Sequence, residues 1–189
     1  MSAAEERPRF PRPEWQYGHG LTWRMIGGMS GPLAGAIGEG MSDTLAIILN
    51  EDDRVGEYAF GNPIGIRTAP YTNYPRTYGD VAGTDVHFDG EVYGAIGWRL
   101  FEIFQRERLS KDLLLDYIVD GMNFTPATPA FEDMRVGILQ AVTNAGLGHE
   151  CLMWEGFAAY GVGVGASGTV SGSGTVTITE SFARPPACP

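Results

Sequence analysis

"GAIGEGMSDTLAIILN", residues 35–50, decides the fold. Its apolar positions recur at helical spacing as far as Ile48, so the stretch reads as a well-buried helix. Upstream, "GGMSGPLAG" breaks a preceding helix that spans Glu14 to about Met25 and opens just after Pro13, a residue suited to a first helical turn. Downstream, "EDDRVGEY" is an acidic loop. Residues 60–85, rich in turn formers and aromatics, form a long irregular connection of a length that is usually functional. From His87, "HFDGEVYGAIGWRLFEIFQRERL" is strongly amphipathic, with Val92, Ile96, Leu100 and Ile103 on one face.

Three more helices come after it. The first, "SKDLLLDYIVDGMNF", takes Ser110 as its N-cap and ends near Gly121. The second succeeds the proline turns of "TPATPAFEDMRVGILQAVTNAGL", and the third is "HECLMWEGFAAYG". The chain then changes character. Glycine and serine dominate from residue 161, and "TVTITESF" alternates like a short edge strand. The expectation is a mainly α fold, a helical bundle over 14–160. A flexible arm (1–13) precedes it, and a Gly/Ser-rich tail (161–189) packs on it.

The composition is that of an ordinary globular chain, and 189 residues suit one domain with a real core. A formal net charge of −10 repels phosphate backbones, so nucleic acid is not an expected partner. There is no apolar run of membrane-spanning length and no signal-peptide core at the start, so no membrane partner is expected. Of the two cysteines, Cys151 and Cys188, composition says little.

Beside the central helix lies a near miss. "PEWQYGHGLTWRM", residues 13–25, approaches the zinc-binding pattern H-E-x-x-H. Counted back from His19, the first His would stand at 15 and the Glu at 16. The chain has Trp15 and Gln16 there. Glu39 lies twenty residues beyond His19, where a glycine-rich turn between antiparallel helices brings the two together. His nitrogen and carboxylate oxygen are both zinc ligands. Asp43, one turn after Glu39, is placed to accept a hydrogen bond from a ligating imidazole. His87, heading the long amphipathic helix, is placed to hold a developing oxyanion.

Taken together, "YGHGLTWRMIGG", "GEGMSD" and "DVHFDGEVYGAIGW" resemble the fungalysin family of secreted zinc endopeptidases, relatives of thermolysin. "HECLMWEGFAAYGVGVGASG" and "ESFARPPAC" resemble the end of its catalytic domain. The resemblance covers about residues 15–188, and only the C-terminal, helical half of that domain. It implies that His19 and Glu39 are zinc ligands, Asp43 their supporting carboxylate and His87 the catalytic His that stabilises the tetrahedral intermediate. It also implies a Cys151–Cys188 disulfide. Trp15 replaces the first zinc His and Gln16 the general base. Indole offers a metal no lone pair, and a carboxamide takes no proton from water.

The resemblance and its two departures imply a weakened zinc site in a truncated metallopeptidase-like protein. Two readings compete. One is a weak metal-dependent hydrolase of peptides or small esters and amides; the other is an inactive remnant with a binding or structural role. The family is secreted, but this chain has no signal peptide and its location stays open. Helical faces that would meet the strand-rich lobe predict a homo-oligomer, most simply a dimer. Calcium is a possible ligand of Glu51, Asp52 and Asp53, though their spacing favours a solvated loop. Trp15, Trp23, Trp98 and Trp154 are expected in the core or an interface. His149 is read as a surface residue.

Overall fold

The computed structural model describes residues 14–188, and of residues 14–17 the backbone alone. The expected arm (1–13) and the side chains of Trp15 and Gln16 lie outside the described residues. The fold is mainly helical. Its elements are α1 (Glu14–Ile26), α2 (Pro32–Asn50), the single turn α3 (Glu57–Phe60), α4 (Val86–Arg106), α5 (Lys111–Met122), α6 (Phe131–Ala145) and α7 (Glu150–Ala159). A hairpin of β1 (Ser167–Val170) and β2 (Val176–Thr179) closes the chain order.

The central pair is α2 against α4, and it is close because both helices present glycines at the crossing. A Cβ on Gly90 would sit 2.7 Å from the Ala36 carbonyl oxygen and 2.8 Å from the Glu39 Cβ, and one on Gly40 would meet Tyr93 at 2.6 Å. Around this seam Ile37, Met41, Ile47 and Ile48 of α2 pack with Val92, Ile96, Leu100 and Phe104 of α4, all buried. The apolar side of α1 closes on α2, where a Cβ on Gly18 would lie 2.5 Å from Ser42 Cα. The helices α5, α6 and α7 complete the core with Leu114, Ile118, Phe131, Ile138, Met153 and Phe157.

The helix ends are chemically specified. Asp85 caps α4 by accepting from the amides of His87 and Phe88, and Ser110 caps α5 by accepting from Leu113, as its sequence predicts. Gly146, at φ 68°, ends α6 in the left-handed conformation glycine tolerates.

The long connection between α3 and α4 is ordered by buried carboxylates. Glu91 accepts from the Thr68 amide at 3.0 Å, from the Thr68 hydroxyl and from Tyr74 OH at 2.7 Å. Asp89 accepts from the amides of Ala82 (3.2 Å) and Gly83 (2.7 Å) and pairs with Arg76 at 3.5 Å.

The tail holds two strands, not the single edge strand expected. Antiparallel pairing sets Ser167 opposite Thr179 and Thr169 opposite Thr177. Glu132 of α6 anchors the hairpin, accepting from the Gly168 amide at 2.7 Å and from Tyr78 OH at 2.8 Å. Buried Arg135 donates to the carbonyls of Val162 and Gly163 (2.7 and 2.6 Å) and lies over the Trp154 ring. The disulfide Cys151–Cys188 then ties the tail to α7 across 37 residues.

One expectation needs correction. His149 is half-buried: its Nδ1 lies 3.0 Å from Tyr117 OH and its ring packs edge-on against Phe104, so it plugs the α4–α5–α7 junction. Trp23 is more than half exposed, whereas Trp98 and Trp154 are partly covered. Their local reasons differ: Trp98 donates to the Thr72 hydroxyl at 2.9 Å, and Trp154 is covered by Arg135.

Candidate functional site

Three helices converge on Glu39. It stands on α2 one turn before Asp43, and the glycine seam brings the first turn of α4 alongside it. His19, from α1, places Nε2 at 3.3 Å from Glu39 Oε1. His87, from the first turn of α4, places its own Nε2 at 3.5 Å from the same oxygen. His87 is largely exposed, and its Nδ1 lies 3.4 Å from Asp85. Asp85 is held below the usual carboxylate range by the His87 and Phe88 amides that donate to it.

Asp43 is fully buried, but its partners are not imidazoles. The Arg67 guanidinium engages it at both ends, Nε to Oδ2 at 2.6 Å and an amino nitrogen to Oδ1 at 2.9 Å. Tyr71 OH donates to Oδ2 as well. The same guanidinium approaches Glu39 Oε2 at 3.6 Å. Burial alone would lower the Arg67 pKa, but the hydrogen bonds and charge of Asp43 outweigh it and raise it above its ordinary value. For Tyr71, burial and then the Asp43 charge push the phenol well up.

So the structure brings His19, Glu39 and His87 together, with Asp43 just behind them. The reading of the residues missed Arg67, Tyr71 and the Glu91 anchor. The signal available was one arginine in an otherwise uncharged run, "GNPIGIRTAP".

Residues 14–166 match the sequence profile of the family described as Fungalysin metallopeptidase (M36). The chain belongs to the fungalysin family. An extracellular metalloproteinase MEP of Fusarium vanettenii is 31% identical over 207 residues, covering 90% of this chain and 32% of its own length. An extracellular metalloproteinase 4 of Arthroderma otae is 30% identical over 190 residues, covering 80% of this chain and 29% of its own. An Aspergillus terreus metalloproteinase is 30% identical over 184 residues. This fungalysin chain thus spans about a third of the length of the relatives it matches.

Fungalysins are zinc-dependent metallopeptidases, and a catalytic zinc is held by three protein ligands plus an open position. Here His19 and Glu39 have suitable chemistry, but the donor set is short. Among the described residues no three His, Cys, Asp or Glu side chains form a group able to hold a metal ion. Position 15 supplies an indole, both Asp43 oxygens are taken by Arg67, and His87 meets Glu39 and Asp85 without completing a ligand set. The described residues do not fit a resident zinc. Nor do Glu51, Asp52 and Asp53 make a calcium cluster: Glu51 pairs with Lys111 at 2.7 Å, and Asp53 accepts from the Thr72 amide.

Proposed function

We propose that this fungalysin-related chain does not hydrolyse peptides by its family's route and acts instead as a binding or structural protein. The observation that carries the reading is position 15, an indole where a zinc-binding helix needs its first imidazole. The ligands that remain are His19 and Glu39, with Glu39 Oε1 also toward His87 and Oε2 toward Arg67. Position 16 adds chemistry of the same sense, since a carboxamide cannot serve as the general base.

The test is hydrolysis of a protein and of a short peptide, with and without EDTA, beside an active fungalysin. No chelator-sensitive cleavage is expected. Turnover that EDTA abolishes, and that His19→Ala also abolishes, would overturn the reading.

One observation favours a second reading. Two imidazoles gathered on one carboxylate oxygen are a suitable start for a weak metal-dependent hydrolase of small esters or amides, once a further ligand is recruited from a second chain. The same chelator experiment, run on an activated ester, separates the two.

Self-association belongs to the same proposal. Tyr58, Phe60, Ile64 and Ile66 crowd one short segment, with Tyr58 86% and Phe60 62% exposed. Exposed apolar residues in that number are commonly covered by a partner surface. A homodimer at micromolar concentration is expected by light scattering, and a monomer across the accessible range would refute it.

A further inference from the structure

We infer that the resident cation of this site is the Arg67 guanidinium and that the chain holds no zinc beside it, an inference that rests on the non-hydrolytic reading above and extends it. The lone pairs make the first argument. A catalytic zinc takes three protein ligands, and position 15 offers an indole with no lone pair for a metal. Asp43 receives two charge-assisted hydrogen bonds from Arg67 and a third from Tyr71. Glu39 keeps one oxygen toward Arg67 and the other toward two imidazoles.

The second argument is positional. Arg67 is only 10% exposed, and it cannot leave. Its neighbour Thr68 is bonded through amide and hydroxyl to the buried Glu91, and Tyr71 is fully buried against Asp43. A dication at Glu39 would enter with two ligands against a fixed positive charge 3.6 Å from the ligand carboxylate. In so buried a setting that repulsion is poorly screened by salt. The bidentate pair with Asp43 is the geometry for which guanidinium is suited and ammonium is not.

The experiment measures metal uptake and thermal stability rather than turnover. The full chain, purified without an affinity metal column, is mixed with a modest excess of zinc, desalted and assayed for metal per chain. Cobalt(II) is titrated in parallel and followed by its visible bands, and melting is recorded with zinc and with EDTA. Far less than one zinc per chain is expected, with no tetrahedral cobalt spectrum and a melting temperature that neither additive moves. His19→Ala should behave identically in all three.

Arg67→Gln should melt well below the parent, and Arg67→Lys should recover part of the loss because it returns the charge. If Arg67→Gln does not fold, Arg67→Lys and the metal measurements on the parent still decide. About one zinc per chain, lost in His19→Ala, would overturn the inference, as would Arg67→Gln melting like the parent. Bound zinc without cleavage would sink this inference and leave the non-hydrolytic reading. Bound zinc with EDTA-sensitive cleavage would sink both.

Discussion

Glu91 shows what a single buried carboxylate does here. Its oxygens receive the Thr68 amide, the Thr68 hydroxyl and the Tyr74 phenol, all from the connection that carries Arg67. Glu91→Gln removes the charge and presents an NH₂ where only acceptors fit. A loss of about 1–3 kcal/mol is expected from chemical denaturation, because buried donors would be left without partners. A midpoint within error of the parent would show that water replaces those bonds freely. Tyr74 provides a pH signature of the same contact. Burial, and then the hydrogen bond and charge of Glu91, push its phenol up to about 12 from the ordinary 10.0. A folded pKa above the unfolded one contributes stability that is complete below about pH 10 and is lost as pH rises toward about 12. Tyrosinate absorbance and far-UV dichroism should therefore change together in that window. Smooth titration of Tyr74 near pH 10 with the helices intact would contradict the assignment.

At the scale of elements, the helices were legible because their apolar positions repeat. Val92, Ile96, Leu100 and Ile103 are all buried on α4, as the period demands. Ser110 as a cap was equally legible, since its role depends only on the next three residues. What could not be read is whatever depends on a polar partner far along the chain. Arg67 reaches Asp43 across 24 residues and Glu91 reaches Thr68 across 23, and no local pattern encodes either pairing. The first strand was missed for a related reason. Ser167–Val170 is mostly exposed and has no alternating apolar face, so its order comes from Thr177, Thr179 and Glu132 elsewhere. The approach of His19 to Glu39 was legible through spacing and His87 through the family resemblance, whereas the guanidinium beside them was not. The glycine seam supplies the element-scale prediction. Gly40→Ala gains about 1 kcal/mol of helix propensity. It also drives a methyl into Tyr93 and the α4 backbone, which overpacking places at about 1–3 kcal/mol. Net destabilisation is expected, with the His19, Glu39 and His87 resonances shifted. A more stable variant would mean that the seam has slack.

For the whole molecule, the tail is held at three kinds of contact: Glu132 on the hairpin, Arg135 on its entry and the disulfide at its end. Closing 37 residues is worth about 3–4 kcal/mol when the constraint on the unfolded chain is counted. Reduction, or paired Cys151→Ser and Cys188→Ser, should lower stability by that order and leave the helical dichroism of α1 to α6 unchanged. A loss confined to a few tenths of a kcal/mol would mean that the noncovalent contacts suffice. Reduction that unfolds the chain outright would mean the tail is integral to the core.

The same covalent tie decides where the molecule feels force. A load attached beyond Cys188, such as a tether or a fused domain, passes directly through Cys151 into the chain just upstream and bypasses both the hairpin and the body of α7. The strands between the two cysteines carry no tension while the bond is intact. Under oxidising conditions, then, mechanical rupture begins upstream of Cys151, with α6 drawn away from its C-terminal end. Under reducing conditions it begins with the strands unzipping, at a much smaller force.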